Sequence, residues 1–387
     1  MTLTKNPFAL KIVFAVLCLV MLALQLRSMS GWNEARAVYD DICYLRQAHL
    51  FQRFGLNGFD TDISRDDDGY FRSELKAIDF PNWKDAVVLP CHNPMPATGK
   101  TVIQYPPGTG MVLALFPAGH QVVPMFWLST IAVFGVALLA IFRAQAINSV
   151  VAAGFFGCFA IYIMINPIKA SYSMAPTAAV CALSGYLTAR WLTRPQQGQR
   201  FALLAALGLL LGFAVDLRVA NLFLAAGYCF FLLFAFLWSR NTSRFLQGVV
   251  FGIALIVGMI PIIVSQKINT GNPFISTYSG APDVQPLDFS LTAIKGYLGD
   301  YLQVALIALA IAGIVRLWLA HDQGLKRVAR LTALNLAINL AFFLTYPIAT
   351  PYYTIPIALL SLWTLLFAQV MQETQPAPVG QQVLAGR

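Results

Sequence analysis

The chain has 387 residues, 58% of them hydrophobic and only 11% charged, with 26 Lys and Arg against 17 Asp and Glu for a net charge of +9. That composition, at a mean hydropathy of +0.66, leaves too little polar surface for a soluble protein of this length and predicts an all-α, polytopic integral membrane protein. The excess cations fall in short loops between apolar runs, which is a topology pattern and not a nucleic-acid footprint, so no nucleic-acid partner is expected.

Runs able to approach or cover a hydrocarbon core of about 30 Å at about 1.5 Å per residue recur along the chain. About ten are predicted as helices: residues 8–27, 122–142, 148–165, 177–193, 201–216, 219–238, 246–264, 301–319, 331–346 and 354–371. The first is longer than a signal-peptide apolar core, and "LRSMSGWNE" after it has no small-x-small cleavage site, so it reads as an anchor. Lys5 and Lys11 precede it, which sets the N-terminus inside. The other inner connections then hold Arg143, Arg190, Arg194, Arg200, Arg240, Arg244, Arg316, Lys326, Arg327 and Arg330. Of the acids, only Asp322 and Glu373 share that side. Both termini are expected to be cytoplasmic, with residues 372–387 as a tail of one domain spanning 1–387.

Two outer loops are long, residues 28–121 and 265–300, and such loops in a compact fold are usually functional. Five stretches stand out. In "AVYDDICYLRQAHLFQRFG" the apolar residues recur at helical spacing, predicting an amphipathic helix lying along the membrane surface. Asp40 and Asp41 begin it, as a capping pair or a functional one. "QYPPGTGMVLALFP" forces a turn into an apolar piece too short to span. "GFAVDLRVANLF" places Asp216 and Arg218 between two apolar runs, either as a hairpin ion pair or as a functional site. "NTGNPFISTYSG" opens the second loop. "TYPIATPYYTIP" brings Tyr346, Tyr352 and Tyr353 to one face, as an aromatic belt also would.

These stretches, in this order, resemble the polytopic glycosyltransferases of the GT-C superfamily, in particular the bacterial relatives of protein O-mannosyltransferases and lipid A aminoarabinose transferases. The resemblance rests on "DDICY", "YPPG", "GFAVDLRVAN", "GNPFISTY" and the late Tyr-Pro-rich turn. Three departures stand against the family pattern. Asp41 replaces a frequent Glu, the last turn lacks a basic residue, and the segment between Gly58 and Val102 is longer than expected.

The resemblance implies transfer of a sugar from a polyprenyl-phosphate donor to a lipid, glycan or protein acceptor, with inversion, at the outer face of a bacterial inner membrane. An acceptor hydroxyl then needs a positioned base, for which Asp40 is the candidate. Charge growing on the leaving phosphate needs a cation, which Arg218 would supply, with Lys169 and Lys267 behind it. Tyr44, Tyr105, Tyr278 and Tyr352 are the expected substrate contacts. Asp41 would orient Asp40, hold a divalent cation such as Mg²⁺ or Mn²⁺ against the donor phosphate, or face water.

In an oxidising periplasm Cys43 and Cys91 would pair, whereas Cys18, Cys158, Cys181 and Cys229 fall within helices. "FDTDISRDDDGYF" imitates a calcium loop but has Arg65 and Phe71 where Gly and Glu belong, so it reads as a solvated acidic loop. A transporter or flippase of lipid-linked substrates is the main rival reading, and a noncatalytic partner protein of the same fold is another.

Overall fold

In a computed structural model of the chain, residues 7–32, 39–81, 83, 89–193, 199–279, 288, 291–346 and 350–373 are described. In chain order the elements are α1 (Pro7–Ser30), α2 (Tyr39–Phe54), α3 (Tyr70–Ala77), β1 (His92–Met95), β2 (Lys100–Ile103), α4 (Gly108–Leu113), α5 (Val122–Arg143), α6 (Ile147–Tyr162) and α7 (Met174–Thr193). There follow α8 (Gln199–Leu217), α9 (Leu222–Ser239), α10 (Thr242–Gly258), α11 (Ile260–Thr270), α12 (Leu291–Leu298), α13 (Tyr301–Trp318), α14 (Gln323–Phe343) and α15 (Pro351–Glu373). Six helices are long and apolar enough to cross a membrane by length and composition, and seven if the bent pair α10 and α11 counts as one. α1 turns Phe8, Ile12, Val16, Leu19, Val20 and Leu24 outward, a face suited to lipid.

Every predicted run meets a helix, but two of the runs need correction. The run 246–264 is two helices bent by 52°, because Pro261 cannot donate to the ladder of α10 and suits only the first turn of a new helix. The run 331–346 begins two turns earlier as α14, where the Asp322 carboxylate caps the helix by accepting from Leu325 N at 2.8 Å. Its first turns are polar and basic, which hid them from an apolar count. The all-α class holds, with one short hairpin beside the helices. Strands β1 and β2 pair antiparallel from His92 opposite Ile103 to Met95 opposite Lys100. Gly99, at φ +69°, closes their turn in a conformation other residues resist.

Contacts sort the helix ends. Lys11 Nζ donates to Phe142 O at 3.0 Å, and Glu373 accepts from Gln145 N and Ala146 N, both at 2.9 Å. The starts of α1 and α6 therefore share one end, here called basal, with the finishes of α5 and α15. The start of α15, about 30 Å away at 1.5 Å per residue, lies at the other end with the outer segments.

The largest correction concerns α2, which does not lie on a surface. Asp41, Arg46 and Gln47 are as buried as their apolar neighbours Cys43, Tyr44 and Ala48, because Tyr172, Thr61, Asp62, His92 and Tyr105 close over its polar side. Arg46 is the centre of that closure. Its guanidinium donates to Thr61 O at 2.9 Å, to Asp62 O at 2.8 Å and to His92 Nε2 at 2.9 Å, and it lies 5.4 Å from the Phe71 ring centre.

The acidic loop consequently works as a clasp. Asp60 pairs with Lys100 at 3.0 Å, Asp62 accepts from Thr101 N at 2.9 Å, Asp66 from Phe71 N at 2.8 Å and Asp68 from Tyr70 N at 3.2 Å, while Asp67 pairs with Arg53. Acids already committed to protein donors do not make the calcium loop their spacing imitates. Asn269 of α11 closes the clasp by donating to Phe59 O at 2.9 Å and accepting from Thr61 N at 3.0 Å. Cys43 and Cys91 are joined in a disulfide across 48 residues of chain.

His92 gives this cap a pH dependence. Its Nδ1 lies 2.7 Å from the Pro90 carbonyl, which can only accept, so Nδ1 carries the proton and Nε2 accepts from Arg46. Burial, and then the Arg46 charge, hold its pKa down from 6.5 to about 3. Between those values the unfolded chain binds a proton that the folded chain refuses. Stability is thus full above pH 6.5 and falls by about 1.4 kcal/mol per pH unit below it, or about 2 kcal/mol by pH 5. Asp62, Asp67 and Asp68 sit below their ordinary 3.8, so their losses come at lower pH. Unfolding midpoints at pH 7 and pH 5 should differ less in His92→Gln than in wild type, and equal slopes would remove His92 from this role.

Candidate active site

The site forms where "YPPG" joins α2 to the end of α8. Pro107, at φ −77° and ψ −17°, already has helical backbone where α4 begins at Gly108, a start that its ring favours. A Cβ on Gly108 would stand 2.6 Å from the Asp216 backbone, and one on Gly110 would stand 2.4 Å from Gln47 Cβ. Only glycine fits either position, so α4 is a wedge touching α8 on one side and α2 on the other. Thr109 Oγ1 donates to Leu217 O at 3.0 Å, and Gln47 Nε2 donates to Tyr105 O at 2.8 Å. The second outer segment is tied to the same turn, since Thr277 Oγ1 donates to Gln104 O at 2.7 Å and Asn93 Nδ2 donates to Thr277 O at 3.0 Å.

This bracing brings five of the expected residues together. Tyr44 stacks on Tyr105 with ring centres 5.1 Å apart, and Tyr105 meets Tyr278 at 6.0 Å. Arg218 lies with its guanidinium carbon 3.9 Å from the Tyr352 ring centre and 4.9 Å from that of Tyr353. Its charge is felt by Tyr44, Tyr278, Tyr352 and Tyr353 alike. Tyr297 of α12 belongs to the same basin, within electrostatic reach of Arg218, Tyr346, Tyr352 and Tyr353, and its burial raises the phenol pKa. A cation walled by aromatic faces suits an anion carrying a sugar, because the charge meets the phosphate and the rings meet the pyranose.

The acids are divided. Asp41 is buried, and its Oδ1 accepts from Tyr172 N at 3.0 Å, which ties the start of α2 to the turn before α7. Asp40 falls on the first turn of α2, and its side chain lies outside the described residues. Lys169 sits in a short 3-10 turn, residues Ile168–Ala170, three positions before Tyr172, and its side chain is likewise outside them. Lys267 is exposed and donates to Gly271 O at 2.8 Å, capping the end of α11 as a lysine does. That contact accounts for Lys267 without a ligand.

Asp216 and Arg218 do not pair. Asp216 is buried and accepts from Ile262 N at 2.9 Å, satisfying an amide at the start of α11. Arg218 is extended, at φ −161° and ψ 126°, and lies against Tyr352 and Tyr353. Among the described residues it has no ion pair with a carboxylate.

Tyr172, Tyr297 and Tyr353 join the site without having been expected there. Tyr353 was visible as one of a tyrosine pair, whereas nothing local marks Tyr172 or Tyr297.

Among the described residues the one group of three or more potential metal ligands is Cys43, Cys91 and His92. Its two sulfurs are bonded to each other and its imidazole is engaged by Arg46 and Pro90. That donor set does not fit a metal. Asp41 brings a single carboxylate, whose Oδ1 is already taken by Tyr172 N.

No family model and no curated protein matches the chain, so the functional reading rests on the residues themselves.

Proposed function

We propose that the chain is a GT-C-type glycosyltransferase that moves a sugar from a polyprenyl-phosphate donor to a lipid, glycan or protein acceptor. In this reading it works at the outer face of a bacterial inner membrane, crosses that membrane about ten times and keeps both termini in the cytoplasm. The observation that carries the proposal is Arg218, the cation against the faces of Tyr352 and Tyr353 and within reach of Tyr44 and Tyr278.

A phosphate leaves as an anion without needing a proton, so the reaction requires one base and one cation. Asp40 is the base, taking the acceptor hydroxyl proton. Arg218 meets the charge that grows on the departing phosphate, and Asp41, held by Tyr172, fixes the first turn of α2 so that Asp40 is positioned. The tyrosines hold the donor sugar. Lys169 stands as a second cation for the donor.

One observation favours the rival carrier reading. The bend between α10 and α11, capped by a buried Asp216, has the form of the broken helices around which transporters build their sites.

Incubating purified protein with polyprenyl-phosphate sugars and an acceptor extract separates the two. Wild type should transfer sugar, and Asp40→Asn should fall by about 10²- to 10⁴-fold. Equal activity in both removes Asp40 as base. Transfer by neither, with uptake of the lipid-linked sugar into proteoliposomes, selects the carrier.

A further inference from the structure

The basal end carries a second cluster of cations that the proposed reaction does not use. Arg200 and Arg244 stand in the first turns of α8 and α10, and Arg327 just past the first turn of α14. They are close enough that Arg327 feels the charges of the other two as well as that of Asp322. None of the three forms an ion pair with a carboxylate among the described residues, and Arg200 Nε has no hydrogen-bond partner among them. Three helix starts add their own positive ends. Like charges gathered this way repel unless an anion joins them.

An apolar groove of about 340 Å³ runs from Arg244 between α9 and α10, walled by Leu232, Phe236 and Phe245. Its floor is Gly248 and Gly252, four and eight residues past Arg244 and so on the same face. A Cβ on Gly252 would meet nothing within 4 Å, and one on Gly248 would meet only Leu232 Cβ at 4.0 Å. The glycines leave room that the fold itself does not fill.

We propose that the arginines and the groove form one site for an anionic phospholipid, with the phosphate at Arg244 and Arg327 and an acyl chain along Gly248 and Gly252. A soluble phosphate would satisfy the arginines but leave the groove empty, and a zwitterionic lipid would fill the groove but bring no net charge. The continuity of the two features selects a lipid that has both.

Native mass spectrometry of the full chain, with phosphatidylglycerol and phosphatidylethanolamine of matched chains, tests this. Wild type should retain one phosphatidylglycerol in preference to phosphatidylethanolamine. Arg244→Gln and Arg327→Gln should each weaken that retention about tenfold. Gly252→Leu, which has space for its side chain and a better helix former in place of glycine, should displace the lipid while the unfolding temperature holds or rises. Glycerol phosphate should compete poorly. Equal retention of both lipids in all four proteins would reduce the site to ordinary boundary lipid, and efficient competition by glycerol phosphate would make it a soluble-anion site. Either result overturns the proposal, and neither depends on transferase activity.

Discussion

Arg218→Gln is expected to lower kcat/KM for the polyprenyl-phosphate sugar by about 10²- to 10³-fold while leaving the protein folded. The magnitude is that of removing a preorganised charge aimed at a developing anion. Folding should survive because Arg218 has no carboxylate partner to orphan among the described residues, and glutamine retains a planar polar head. Arg218→Lys sharpens the test. Lysine keeps the charge but loses the flat face that lies 3.9 Å from Tyr352 and the fork that can grip two phosphate oxygens. It should recover part of the rate, leaving a deficit of about tenfold. If the role were purely structural, both variants would lower the unfolding midpoint in proportion to any lost rate. Unchanged turnover in Arg218→Gln would end the assignment of Arg218 to the phosphate.

Steady-state kinetics divide the effect further. A contact made equally in the bound donor and the transition state raises KM alone, whereas one that strengthens as charge develops lowers kcat. For Arg218 the second is expected. Tyr352→Ala removes a wall and not a charge, and it should act mainly on KM.

The helices were legible because an apolar run long enough to span leaves a signal that survives ignorance of its neighbours. What the sequence hid was contact across long stretches of chain. α2 reads as a surface helix because its period shows a polar side. That side is buried by Thr61 O and His92, which come from 15 and 46 residues away, and backbone carbonyls leave no mark in a sequence. Pro261 did mark the break between α10 and α11, but the apolar composition on both sides of it reads as one helix.

Asp216 and Arg218 show the limit most clearly. Two residues apart, they suggested an ion pair, yet Asp216 ends a helix and Arg218 is extended, so the two side chains serve different neighbours. The gathering of Arg218 with Tyr44 and Tyr352 joins the first outer segment, the middle of the chain and its last helix. Short motifs could nominate those residues separately, but only the folded chain brings them together.

Gly108→Ala tests whether the wedge is what holds the site together. The new methyl group would begin 2.6 Å from the carbonyl carbon and oxygen of Asp216. Those are backbone atoms of a helix whose last turn is held by Thr109 and Ile262, so they cannot yield as a flexible side chain would. Reaching an ordinary contact of about 3.4 Å means moving α4 off α8 by nearly 1 Å, and overpacking of this kind costs about 1–3 kcal/mol. Because Gln47 binds the Tyr105 carbonyl just before α4, α2 and Tyr105 would move with it. A displacement near 1 Å at a reacting centre can cost about 10² in rate. Gly108→Ala should therefore lower both the unfolding midpoint and kcat/KM. Gly135→Ala is the control, since a Cβ there meets nothing within 4 Å and alanine favours the helix by about 0.5–1 kcal/mol. It should hold or raise the midpoint and leave turnover intact. If Gly108→Ala behaved like Gly135→Ala in both measurements, the close approach of α4 to α8 would not be what aligns α2 with Arg218.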